Sequence, residues 1–165
     1  NFGLVPPLLR STGNFGENRN LSRPVCSRRR NVFRAGSAMY YSVDSDKSFF
    51  EATTDLVPVI QRLGLNVLQV HDLGGMLDSR DIEFDDECQV FEVGNPRLVE
   101  KVLAIDTHLS AALPWRISVY TENGNTKIAA LRPAPMFAAL SSDAALAKLA
   151  QDLEEKLIQI VHETR

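Results

Sequence analysis

Between Trp115 and Leu131 the chain carries the signature of a tight hairpin. Trp115, Ile117 and Val119 alternate with polar neighbours, Lys127–Leu131 is a second β-prone run, and Asn123-Gly124 lies between them. The two-residue turn that joins such strands needs positive φ at both central positions, which Asn and Gly adopt at low cost. One antiparallel pair is therefore set locally, and the rest of the fold has to accommodate it.

The sequence before the hairpin supplies further elements. In Cys88–Val93, Cys88, Val90 and Glu92 alternate against Gln89, Phe91 and Val93, the period of a strand. Asn95 is a good N-cap and Pro96 suits the first helical position, where a missing N–H costs nothing. Leu98, Val99, Val102 and Leu103 give that helix a buried stripe. Ser48 and Glu51 have capping-box spacing, and Phe49, Ala52, Leu56, Val59, Ile60 and Leu63 recur at helical period until Gly64. Pro58 is expected to kink or shorten this helix, because it lacks an N–H and crowds the preceding turn.

Met39–Val43 reads as a first short strand and Leu65–Val70 as a second, with Leu65, Val67 and Gln69 on one face and Leu68 and Val70 on the other. His71–Arg80 reads as a loop, or a short helix broken at Gly74-Gly75. At the C-terminal end Leu146, Leu149, Ala150, Leu153, Leu157, Ile160 and Val161 form one stripe along about five helical turns. These elements predict an α+β fold: a mixed sheet of about five strands containing an antiparallel hairpin, with three main helices packed mainly on one face.

Charge divides the chain. Residues 1 to 43 hold seven arginines, no lysine and one acid, a formal +6, while residues 44 to 165 hold eleven bases and twenty acids, a formal −9. Residues 1–38 also lack a sustained apolar period, so they are read as a basic unstructured arm and 39–165 as a single α+β domain. Arginine-rich, serine-bearing and acid-poor is the composition of an organellar transit peptide. Ser27-Arg28-Arg29-Arg30-Asn31-Val32-Phe33-Arg34-Ala35 suits a plastid, with a mitochondrion as the alternative. If retained, the arm would need an acidic partner, protein or RNA. No aromatic platform or nucleic-acid fold signature accompanies it, so no nucleic-acid function is assigned. No apolar run approaches the roughly 20 residues of a bilayer span. Two cysteines, Cys26 and Cys88, make neither a disulfide framework nor a cysteine-rich zinc site.

Three segments together resemble a small α+β family, the domain of unknown function 302. These are Leu63-Gly64-Leu65-Asn66-Val67 (helix end into strand), Val93-Gly94-Asn95-Pro96 (strand into helix), and Leu113-Pro114-Trp115-Arg116-Ile117-Ser118-Val119-Tyr120. The resemblance covers about Met39 to Val161. It implies a compact protein able to pair as a dimer, and no established reaction. Two positions often cysteine in relatives are Gly94 and Trp115 here, so no thiolate or metal role passes to them.

The polar candidates each have a plainer reading. His71-Asp72 could be a general base with its orienting carboxylate, but neighbours at a strand end point apart and Asp72 also suits a helix cap. His108 follows a helix, where it could meet terminal carbonyls. His162 has no partner at a recognisable spacing. Glu83, Asp85, Asp86 and Glu87 form an acidic run without a calcium-loop glycine, and read as a solvated loop. Gly74-Gly75 lacks the context of a phosphate loop. Cys88 reads as a small buried hydrophobe. Arg116 should project opposite Trp115 and Ile117, to bind an anion or pair with an acid.

His71, Asp72, Asn95 and Arg116 are therefore the candidate ligand or interface residues, and no catalytic residue, cofactor or metal ligand is assigned. The functional expectation is a non-catalytic binding or accessory module in an organelle, docking through its arm or sheet face onto a larger assembly or a second copy. The alternative is a small-ligand or metal-binding protein with weak enzymatic activity, in which Arg116, His71 and the acidic run would share a pocket.

Overall fold

The computed structural model describes residues 39–165. The basic arm, and with it the targeting reading, lies outside the described residues. Five strands form one sheet in the order β1-β5-β4-β3-β2: β1 Tyr40–Ser45, β2 Asn66–Asp72, β3 Cys88–Gly94, β4 Trp115–Glu122 and β5 Asn125–Leu131. The helices are α1 Phe49–Arg62, α2 Leu73–Asp78, α3 Pro96–Ile105, α4 Pro133–Leu140 and α5 Ala144–Thr164, with a 3₁₀ turn at Thr107–Ala112.

All neighbouring strands run antiparallel, which corrects the expected mixed sheet. A helix between two adjacent strands suggests a parallel crossover, yet β3 and β4 are antiparallel. The connection goes out and back. Helix α3 has ten residues, and the 3₁₀ turn behind it returns the chain to the end it left, so Trp115 opens β4 opposite Val93. The Leu113–Pro114 peptide at this entry is cis. Asn123 and Gly124 have φ of 54° and 78°, the turn their sequence called for.

The core lies between one face of the sheet and the helices. Phe91, Val93, Trp115, Ile117, Val119 and Ile128 project from the sheet onto Leu56 and Ile60 of α1, Val102 of α3, and Leu146, Leu153, Leu157 and Ile160 of α5. The capping box at Ser48 is complete: Glu51 N–H donates to Ser48 Oγ, and Ser48 N–H donates to Glu51 Oε2 at 2.9 Å. Helix α1 runs through Pro58 instead of ending there. Pro58 and Thr54 are both exposed, so the carbonyl deprived of its donor faces water, while Ala52, Leu56 and Ile60 anchor the opposite side.

Strand β2 also departs from simple alternation. A bulge between Val67 and Gln69 shifts the pairing, so Val67 faces Val93, Val70 faces Phe91, and Gln69 and His71 lie on the other side opposite Glu92 and Val90. The bulged Leu68 lies over Gly94, where an added Cβ would come within 3.1 Å of its side chain.

Candidate functional site

The second sheet face carries Gln69 and His71 from β2, and Cys88, Val90 and Glu92 from β3. Arg116, Ser118 and Tyr120 come from β4, Lys127, Ala129 and Leu131 from β5, and Tyr40 and Asp44 from β1. The β2 bulge decides its chemistry. An unbroken alternation from Val67 would have turned His71 towards the core; the extra residue turns it outward.

There His71 meets a carboxylate. Its Nε2 lies 3.3 Å from Glu92 Oε1, and the Arg116 guanidinium donates to the same oxygen at 3.3 Å. Register explains the second contact, because Glu92 and Arg116 are directly paired across β3 and β4. His71 and Arg116 are both about half exposed, which limits each contact to roughly 1 kcal/mol or less.

Of the four candidates, the structure joins only these two. Asp72 and His71 point to opposite faces, and Asp72 caps α2 by accepting the Gly75 N–H at 2.9 Å. Asn95 caps α3 through the Arg97 N–H at 2.9 Å and donates to the Gly64 carbonyl at 3.1 Å, tying α3 to the end of α1. Glu92, which joins His71 to Arg116, escaped sequence reasoning. Its outward parity was readable, but the register that sets it beside Arg116 was not.

Next to this cluster, Tyr40, Val90, Arg116, Ser118, Tyr120, Ala129 and Leu131 border a shallow pocket of about 380 Å³. Its centre is apolar, and Leu131 is 44% exposed. Towards the other end of the face, Lys127 donates to Asp44 at 2.8 Å and lies 3.4 Å from Glu122; the Asp44 hydrogen bond holds its pKa above the ordinary lysine value. Burial pushes the Tyr120 phenol up.

The remaining candidates are dispersed. The acidic run lines neither this pocket nor the His71–Glu92–Arg116 cluster; Asp86 accepts from Thr121, whose hydroxyl also receives the Glu87 N–H. His108 does not meet helix-terminal carbonyls. Asp106 caps the 3₁₀ turn, and its carboxylate accepts both the His108 N–H and a contact from Nδ1 at 2.9 Å. His162 has a partner distant in sequence, the Tyr41 hydroxyl at 2.6 Å. Cys88 is half-buried on the outer face, not inside the core. Burial, then the Asp72 carboxylate, raise its pKa, which disfavours the thiolate. Among the described residues, no three His, Cys, Asp or Glu side chains are grouped to hold a metal ion, and no helix is long and apolar enough to cross a membrane.

The family described as "Domain of unknown function DUF302" matches residues 41–164. The crystal structure of an uncharacterized conserved DUF302 protein from Bacillus stearothermophilus superposes with a TM-score of 0.73 at 28% identity, over 78% of this chain and 100% of that one. Among curated proteins, none matches.

Proposed function

The chain belongs to the DUF302 family, and from that premise we propose that it is a non-catalytic binding module that docks through the sheet face that the described helices leave open. The observation that carries this reading is the face itself, with an apolar centre of Val90, Tyr120 and Leu131 beside charges already paired among themselves. Glu92 is taken by His71 and Arg116, and Lys127 by Asp44 and Glu122, so a partner of strong net charge would gain little here. A second copy, with the same apolar centre and balanced rim, suits such a surface best, as an isologous contact requires. The composition of residues 1–38 supports work in an organelle, a plastid first and a mitochondrion second, as an accessory subunit.

The test is the mass of the full chain in solution by sedimentation equilibrium. A dimer at micromolar concentration that Leu131→Glu converts to a folded monomer supports the reading. A wild-type monomer, or a dimer indifferent to Leu131→Glu, overturns it. A second reading, as a small-ligand protein, is favoured by a different surface, the lysine-rimmed groove described next.

A further inference from the structure

The chain has five lysines, and three of them line one groove. Lys47 is tied to Asp55 and to the Thr164 carbonyl, and Lys127 to Asp44 and Glu122. The other three, Lys101, Lys148 and Lys156, border a depression of about 470 Å³ between α3 and α5. This clustering occurs in a segment, residues 44 to 165, whose formal charge is −9.

The groove exists because α3 packs on the 3₁₀ turn behind it, while α5 packs on α1 and α4, leaving the two helices unclosed against each other. Its floor is hydrocarbon: Leu98 and Ile105 from α3, Leu149 and Leu153 from α5. One acid lies there, Asp152, and it is engaged by Lys148 at 2.7 Å. Among the described residues, Lys101 and Lys156 have no ion-pair partner. Two ammonium groups without an ion pair among the described residues therefore border an apolar trough, that of Lys156 lying 4.0 Å from where a Cβ on Gly64 would sit.

We propose that the α3–α5 groove binds a single-chain acyl anion, its hydrocarbon laid along the floor and its carboxylate or phosphate head held by Lys101 and Lys156. Burying the chain against the leucines supplies affinity at about 25 cal/mol per Å². The ammonium groups supply the choice of sign. The volume falls within the roughly 300–1,000 Å³ of small-ligand clefts. Helix α3, about 15 Å long at 1.5 Å per residue, spans a medium-length chain. A protein partner suits the groove less well, because its ten lining residues fall short of the roughly 20–30 a side of a stable interface. The inference is independent of the sheet-face reading, since none of these residues lies on that face.

Isothermal titration of the full chain with laurate below its critical micelle concentration tests it, beside dodecyl phosphate, dodecanol and dodecyltrimethylammonium as probes. The expected result is binding of the two anions, with the alcohol and the cation at least about tenfold weaker. Lys101→Gln with Lys156→Gln should weaken laurate by about tenfold through the loss of two charge contacts, while Lys101→Arg with Lys156→Arg keeps it. Lys101 is exposed and Lys156 half-buried, with no ion-pair partner among the described residues, and a circular dichroism melt checks that both variants fold. Equal binding of cation and anion, unchanged laurate affinity in the glutamine variant, or sedimentation with phosphatidylglycerol vesicles without laurate binding would each overturn the proposal.

Discussion

Glu154 of α5 and Arg132 at the end of β5 form the most enclosed ion pair among the described residues. Arg132 Nε and a terminal nitrogen donate to Glu154 Oε1 at 2.9 and 2.7 Å, while Oε2 accepts the Ala134 N–H at 3.0 Å. Helix α4 has no cap from its own N-cap residue, so a carboxylate from the next helix, α5, fills that role. Glu154 is 8% exposed, and removing it takes away the acceptor of three hydrogen bonds, two from Arg132 and one from the Ala134 N–H. Glu154→Ala should cost about 2 kcal/mol in urea unfolding, and Glu154→Gln, which keeps an acceptor, clearly less.

The two glycines of α2 predict opposite outcomes. A Cβ on Gly75 would meet Asp72 Oδ2 at 2.7 Å, the carboxylate that caps the helix, so Gly75→Ala should lose about 1 kcal/mol with the cap. A Cβ on Gly74 meets nothing closer than 3.6 Å, and Gly74→Ala should gain about 0.5–1 kcal/mol from helix propensity. Thermal melts of the two variants against wild type settle the order.

These particulars show where sequence stops being legible. Ser48 and Glu51, Asn95 and Pro96, and Asn123 and Gly124 were readable because each signal is complete within four residues. The stripe from Leu146 to Val161 was readable because one period runs through the whole helix. Strand direction was not, since a ten-residue helix looks the same whether the chain crosses the sheet or turns back. The bulge at Leu68 was not either, as Val67 to Val70 carries no glycine to mark it. That one extra residue set the candidate site, turning His71 from the core towards Glu92. The lysine-rimmed groove needed the relative placement of α3 and α5, which neither helix's own pattern contains.

The capping box gives a pH dependence of definite sign. Hydrogen bonds from the Ser48 side chain, then its backbone N–H, hold the Glu51 carboxyl below the ordinary glutamate range. A depressed folded pKa stabilises above the unfolded value, about 4.3, and that stabilisation is lost as pH falls through the lowered folded value. Wild type should thus melt above Glu51→Ala at neutral pH, and the gap should shrink on acidification below about pH 4. Asp106 and Glu163 are lowered as well, but they are common to both proteins and cancel in the difference.

Reversing one charge on the sheet face separates association from folding. In the wild type the charges near the apolar centre are paired within the face, so a face-to-face dimer should respond weakly to salt. Arg116→Glu sets a second carboxylate directly across from Glu92 and, in the dimer, adds two like charges to one contact. Dimer dissociation measured by sedimentation should then rise by about tenfold at low ionic strength and recover in part at 0.5 M salt, where screening falls to roughly 4 Å. A melt of the same variant reports the cross-strand cost, expected at about 1 kcal/mol or less. Weakened dimerisation with a near-native melt places Arg116 at the contact; an unchanged dimer places the contact elsewhere.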